Sequence, residues 1–381
     1  MSIQQFQSGN KVQRYQYQSF EPGFINKVWH LDSDAVALLL SEADRKLGEL
    51  NAYSQLIPDV DFFIRMHITK ESTASSRIEG TQTNIDEALQ KEEYIQPAKK
   101  DDWQEVQNYI AAMNFAIAEL ENLPLSSRLI KQTHKILLQG VRGTLKMPGE
   151  FRISQNWIGG SSLSDARFIP PHQDGVLEYM SDLEKFIHND ETNLPHLIKT
   201  GILHYQFETI HPFLDGNGRT GRLLITLYLV NFGLLTKPTL YLSDFFERYR
   251  EPYYDNLTAV RTKNDLEHWL KFFLEGIRVT AEKSIDTFKQ IIQLRAELET
   301  KIITLGKKQL LAKNCLQYLY SEPITDTQSI ADKLEVSFTT ATRLIHDFIR
   351  LGILIELTGY KRNRIFAFDN YLKLFRSDIT Q

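Results

Sequence analysis

The stretch HPFLDGNGRTGR, residues 211–222, gathers one histidine, one aspartate, three glycines and two arginines into twelve positions. The segment before it, HLIKTGILHYQFETI, and the one after it, LLITLYLVNFGLL, carry apolar residues at helical spacing, and Gly233 and Pro238 mark where the second helix stops. The twelve residues are therefore predicted to form a tight loop opening directly into a helix, inside a mainly α chain.

That placement gives the loop a chemistry. Gly216, Asn217 and Gly218 let a ligand approach the main chain, and the N–H groups of a helix start form an anion site. Arg219 and Arg222, three apart, share a helix face from which both can grip phosphate oxygens. Asp215 is a hard oxygen ligand suited to Mg2+, and His211 can act as a general base near neutral pH. Two other readings meet parts of the pattern. GNGRTG also satisfies G-x-G-x-x-G with Asp244 downstream, but a dinucleotide site needs a strand before it, and the preceding segment reads as a helix. A structural glycine turn with solvated arginines explains three of the residues and leaves the other polar positions without a reason.

Residues 211–222 match without departure the signature of the Fic family, H-P-F-x-D-G-N-G-R-x-x-R. Its members mostly transfer AMP from ATP to a hydroxyl side chain of a target protein. The resemblance extends over most of the first 290 residues and implies a helical core with a β-hairpin flap. It implies that His211 deprotonates the target hydroxyl and that Asp215 holds magnesium. The implied ATP site comprises Gly216, Asn217, Gly218, Arg219, Thr220, Gly221 and Arg222, with Asn217 on the α-phosphate and Arg222 on the γ-phosphate. In the later segment EPYYDNLTAVR, Tyr254 and Asn256 resemble positions that contact adenine and ribose.

Outward from the loop, Ser33 to about Asn122 is predicted to be helical, with Val36, Leu39, Leu40, Ala43 and Leu47 at helical spacing. It contains SSRIEGT, in which Ser75 and Glu79 are four apart and so share a helix face, with Gly80 as a C-cap. A glutamate at a helix C-terminus opposes the backbone dipole. The stretch resembles the family's inhibitory pattern, [S/T]-x-x-x-E-[G/N], in which Glu79 would pair with Arg222 and obstruct the γ-phosphate. Without that resemblance, Glu79 reads as an exposed acid before a capping glycine. Between the helices of 123–141 and those resuming at Val176, strand runs at 151–158 and 166–169 around Gly159 and Gly160 predict a hairpin. It resembles the family's flap, along whose edge an extended target segment can pair. The simpler alternative is a hairpin that covers the core.

From Lys307 the pattern changes to three short helices, then ILIEL, a turn at TGYKRN, and RIFAF, the order of a winged helix-turn-helix. Its third helix, the expected recognition helix over 337–351, offers Thr339, Thr340, Thr342 and Arg343, and its wing offers Lys361, Arg362 and Arg364. Residues 307–381 hold 11 Lys and Arg against 8 Asp and Glu within a chain of net charge −4. That excess is small for DNA, so DNA and protein both stand as partners.

The expected organisation is an N-terminal helical region over 1–122 with an inhibitory helix near 62–80, a catalytic core over 123–290 with its flap at 149–170, a linker helix over 291–306, and the winged helix over 307–381. One cysteine allows no intrachain disulfide, the N-terminus has no secretory pattern, and a cytoplasmic location is expected. Homodimerisation is implied by resemblance alone. The sequence thus points to a self-inhibited adenylyltransferase. An ATP-sensing transcriptional regulator, or an enzyme that removes AMP or moves another phosphorylated group, remains the alternative. The intact His211 favours an enzyme, since sensing needs no general base.

Overall fold

The computed structural model describes residues 1–56, 60–140, 145–359 and 363–376. The chain opens with an antiparallel pair, β1 (Gly9–Gln13) and β2 (Gln18–Pro22). No residue of β1 is buried, so the pair leaves no apolar alternation in the sequence. Four helices follow, α1 (Asp34–Leu56), α2 (Val60–Ile78), α3 (Ile85–Ala88) and α4 (Lys100–Glu119). Next come α5 (Ser127–Leu137), α6 (Val176–His188), α7 (His196–Ile210) and α8 (Asn217–Asn231). The series ends with α9 (Ser243–Arg248), α10 (Arg250–Lys263) and the 38-residue α11 (Leu266–Ile303).

Helix α7 sits at the centre. Every residue from Leu197 to Ile210 is buried, as suits a helix packed on all sides. Two of its basic side chains are matched within the core. Lys199 donates to the carbonyls of Ile187 and Asn189, and His204 bridges the Gly221 carbonyl and the Tyr253 hydroxyl. Gly221 allows the close approach of α8, because a Cβ there would overlap the Glu208 carboxylate. Around this pair, α1 runs along α11, α2 packs against α4 and α9, and α4 packs on α5. Helix α11 passes without a break through residues 290 and 291, where sequence reading expects a core to give way to a linker.

The expected hairpin forms differently from a pair of strands. Its only ladder contact among the described residues is one antiparallel bridge, Ile158 with Phe168. Gly159 and Gly160 take positive φ, and Asp165 caps the Ser161 and Ser162 amides to close the turn. The first run is drawn to the 211–222 loop. The Arg152 amide donates to the Pro212 carbonyl and its guanidinium to the carbonyls of His211 and Pro171. The second run is held from outside, where Phe20 of β2 donates to the Ile169 carbonyl. Val141, the expected end of the preceding helix, lies outside the described residues.

The C-terminal segment contains α12 (Gln309–Ser321), β3 (Ile324–Asp326), α13 (Thr327–Leu334) and α14 (Phe338–Arg350). It finishes with β4 (Ile355–Glu356), β5 (Ile365–Ala367) and α15 (Asp369–Leu372), and its sheet has the antiparallel order β3-β5-β4. Sequence reading anticipates the three helices and the last two strands and misses β3. Helix α14 is capped by Ser337 and exposes Thr339 and Arg343. Arg364 is engaged by Glu356 and lies over the Phe366 ring, while Lys361 and Arg362 fall outside the described residues.

This segment packs on α2. Phe63 meets the rings of Tyr320 and Tyr371, His67 meets Phe375, and ion pairs join Arg65 to Glu322 and Lys91 to Asp326. The single cysteine, Cys315, is buried in α12. Among the described residues no helix is long and apolar enough to cross a membrane.

Candidate active site

Helix α7 ends at His211, which adopts the left-handed conformation with φ 50° and donates its amide to the Phe207 carbonyl. The chain then turns through Gly216, also left-handed at φ 73°, into α8. The two reversals bring the histidine back over the start of α8. Two side chains from the flap run fasten the turn. Arg152 Nε donates to the His211 carbonyl at 2.9 Å, and Asn156 Nδ2 to the Phe213 carbonyl at 2.8 Å.

Burial, with the Arg152 and Arg261 guanidiniums adding to it, holds the His211 imidazole down at about 3. Glu79 and the Glu208 backbone oppose the shift without cancelling it. The ring is therefore neutral at physiological pH, which is the form that accepts a proton. An anion brought close to the ring would raise its basicity.

Asp215 leaves its side chain 42% exposed, with Oδ1 accepting the Gly216 amide at 2.6 Å. The Asn217 side chain is spent on the loop itself: Oδ1 accepts the Phe213 amide and Nδ2 donates to the Phe213 carbonyl, both at 2.8 Å. What Asn217 has left for a phosphate is its backbone N–H, one of the first-turn donors without an intrahelical acceptor. Thr220 donates back to the Gly216 carbonyl, and Gly221 faces α7, so neither lies toward the anion site.

The two arginines part company. Arg219 is buried in an ion pair with Glu105 of α4 at 3.0 Å. Arg222 is 1% exposed and turns to the end of α2, where Nε donates to Ser75 Oγ at 2.9 Å and Nη2 to the Ser75 carbonyl at 3.0 Å. Arg222 Nη2 also meets Glu79 Oε1 at 2.6 Å. Glu79 follows the last residue of α2 and precedes Gly80, whose φ of 107° ends the helix. Its carboxylate lies against Gly218, where a Cβ would overlap Oε1. Desolvation works against the Glu79 charge, and Arg222, then Arg219 and His211, overcome it, holding the carboxyl below its ordinary range. A carboxylate thus fills the space between the glycine loop and Arg222.

Tyr254 is 39% exposed on α10, close enough to Glu79 and Arg222 to feel both charges. Asn256 is buried on the same helix and donates to the Pro252 carbonyl; its Oδ1 has no hydrogen-bond partner.

Three further residues belong to this arrangement. Glu208, one turn before His211, is buried under Arg222, and burial pushes its carboxyl up to about 7. Being the one acid in α7 is its only sequence signal. Glu105 partners Arg219. His134 of α5 accepts the Gly149 amide at Nδ1 (2.8 Å), bonds the Asp215 carbonyl through Nε2 (2.9 Å), and stacks on Phe213 with centroids 3.7 Å apart. Because the amide can only donate, Nδ1 must be bare and Nε2 must carry the hydrogen. Nothing local in the sequence separates His134 from a solvated histidine.

Residues 37–118 match the Fic/DOC family N-terminal model, and residues 124–229 match the Fic/DOC family model. Among curated proteins, the chain is 29% identical over 191 residues to the protein adenylyltransferase Fic of Aedes aegypti, covering 49% of this chain and 34% of that one. It is 30% identical over 141 residues to the Culex quinquefasciatus protein of the same name, covering 37% and 25%. The chain thus spans about a third or less of the length of these relatives. Among solved structures, a Fic family protein from Desulfovibrio desulfuricans G20 shares the fold with a TM-score of 0.57 at 21% identity, over 90% of this chain and 98% of that one. The chain thus carries two segments that match Fic/DOC family models, 37–118 and 124–229.

Proposed function

We propose that this protein is a self-inhibited protein adenylyltransferase. The observation that carries the reading is the Glu79 carboxylate bound to Arg222 and set against Gly218, beside a neutral His211. A carboxylate there mimics an anion and occupies the place of one. With Glu79 withdrawn, the helix start at Asn217 and Gly218 and the freed Arg222 form a cradle for a triphosphate.

In the proposed reaction ATP lies along this cradle. The hydroxyl oxygen of a target side chain attacks the α-phosphorus, its proton passes to the His211 imidazole, and the bond to the bridging oxygen breaks to release pyrophosphate. Tyr254 flanks the nucleotide, and Asn256 supports the helix that carries it. Asp215 fits magnesium by the hardness and exposure of its carboxylate; when bound, the ion would neutralise phosphate charge. The target docks along the flap by main-chain pairing. With β2 held on the Ile169 side and the Arg152 and Ile158 amides spent on Pro212 and Phe168, residues 153–157 are the edge left for it. The C-terminal segment is read as a winged helix whose partner is a protein or DNA.

The test supplies Glu79→Gly enzyme, magnesium and a cell lysate with ATP labelled at the α- or the γ-phosphate. The reading expects α-label on protein that disappears with His211→Ala. Gamma-label, or no label at all, would overturn it.

A further inference from the structure

Helix α2 faces a second charged cavity that the proposed reaction does not use. His67 and Lys70 of α2 line it with Tyr241, Asp244 and Arg248 from the α9 region and Lys283 of α11. Lys283 Nζ lies 3.0 Å from Asp244 Oδ2, and Lys70 Nζ and Arg248 Nη2 each lie 3.9 Å from the same oxygen. Three cations therefore share one carboxylate in a half-buried space. Glu71, the other acid in the lining, is spent on Ser243 and on the Tyr109 hydroxyl.

The floor points the same way. Tyr241 Oη and His67 Nε2 are both buried in the lining and have no hydrogen-bond partner. A buried phenol without an acceptor is destabilising, and it is the kind of group a bound ligand satisfies. Lys70 is held below its ordinary value by burial first and then by Lys283 and Arg248, so the excess positive charge is felt at the helix. A ligand that fits must be anionic, rich in acceptors, and small enough to meet all three cations at once. Those are the properties of a phosphoryl group.

We propose that this cavity binds a phosphate group, free or carried on a small phosphomonoester, and that the occupant ties α2 to α9 and α11. Lys70 lies nine residues before Glu79, so a ligand that relieves the repulsion among Lys70, Arg248 and Lys283 seats α2 more firmly against Arg222. The regulatory half of this proposal rests on reading Glu79 as a brake. The binding half does not.

The experiment needs neither ATP nor a target. Full-length protein is melted in inorganic phosphate and in chloride of equal ionic strength, alongside Arg248→Gln, Lys283→Gln and the double variant. Hydrogen exchange is followed at the amides of 63–78. A saturable rise in Tm with phosphate, lost in the double variant and reduced in each single one, together with slower exchange in 63–78, is expected. An equal rise in the double variant would place the phosphate elsewhere, the 216–218 loop included, and would sink the proposal, as would no rise in the parent. A specific rise with unchanged exchange would keep the site and overturn the link to α2. Phenyl phosphate is the second arm: a larger shift than phosphate assigns the site to a carried group, and an equal or smaller one to the free ion.

Discussion

Arg222 and Glu79 meet at 2.6 Å between Nη2 and Oε1, and the same guanidinium holds both the hydroxyl and the carbonyl of Ser75. Three contacts from one arginine thus fix the end of α2 in the space where a γ-phosphate would enter. Glu79→Gly removes the acid and frees the arginine, and it is expected to raise adenylyl transfer by roughly 5- to 150-fold, the range of a coupling of 1–3 kcal/mol. Glu79→Gln keeps the size and loses the charge, so its activity should fall between parent and Gly. Since the folded carboxyl is held below the ordinary range, the contact is present above that range and is lost only as pH falls through the lowered value. Labelling by α-labelled ATP at pH 5.5 and 7.5 should leave the parent inhibited at both; relief at 5.5 would contradict the ion-pair account.

His211 stands neutral because burial and two guanidiniums depress it to about 3. His211→Ala in the Glu79→Gly background should lower transfer by about 10²–10⁴-fold, the usual contribution of a positioned base. The pH profile of kcat/KM, which reports the free enzyme, should be flat through 6.5 on its acid side. A limb near 6.5 that is absent from other variants would mean that the ring is open to water.

How much of this could be read beforehand follows from where each residue's partners lie. Gly216, Asp215 and Arg222 were legible because a turn entering a helix needs its chemistry within one contiguous stretch. Ser75 and Glu79 share a helix face by their spacing, but only the resemblance to the inhibitory pattern set them apart from an exposed acid before a capping glycine. Glu105, Arg152 and His134 act from other elements across 59 to 114 residues, and no local spacing encodes such a distance. Arg219 looked like Arg222 in sequence and differs only because Glu105 of α4 reaches it first. The flap runs had strand composition, but the His211 loop and β2 took the hydrogen bonds that strands would have exchanged.

His134 ties the start of the flap to the catalytic turn, with one ring nitrogen on each. His134→Ala leaves the Gly149 amide and the Asp215 carbonyl unsatisfied and opens a cavity beside Phe213, an expected loss of about 2–4 kcal/mol. His134→Phe keeps the stack and loses both hydrogen bonds, so urea melts should rank it between parent and Ala. In the Glu79→Gly background, both variants should lower kcat more than they raise KM for ATP, because the misplaced group is His211 and not the phosphate cradle. Equal kcat in parent and Phe variant would leave His134 a purely structural residue.

Four histidines are buried in the neutral form: His67, His204 and His211 are depressed to about 3 and His134 to about 4, each chiefly by burial. An unfolded histidine titrates near 6.5, so between that value and 4 the unfolded chain binds more protons, and stability rises with pH. Glu208, raised to about 7, acts in the opposite sense between 4.5 and 7, and the carboxyls of Glu71, Glu247, Asp44 and Asp182, also raised by burial, act in that sense above their ordinary range. At about 1.4 kcal/mol per pH unit per group, the four histidines set an upper bound of about 6 kcal/mol lost per unit of acidification near pH 5, which the raised carboxyls reduce. The urea midpoint should therefore fall from pH 7 to pH 5, and His67→Phe, which exchanges an unbonded ring nitrogen for carbon among Phe288 and Phe375, should shrink that fall. A midpoint that holds steady or rises on acidification would mean that these rings are protonated in the folded protein, and the neutral His211 on which the proposed base depends would fall with them.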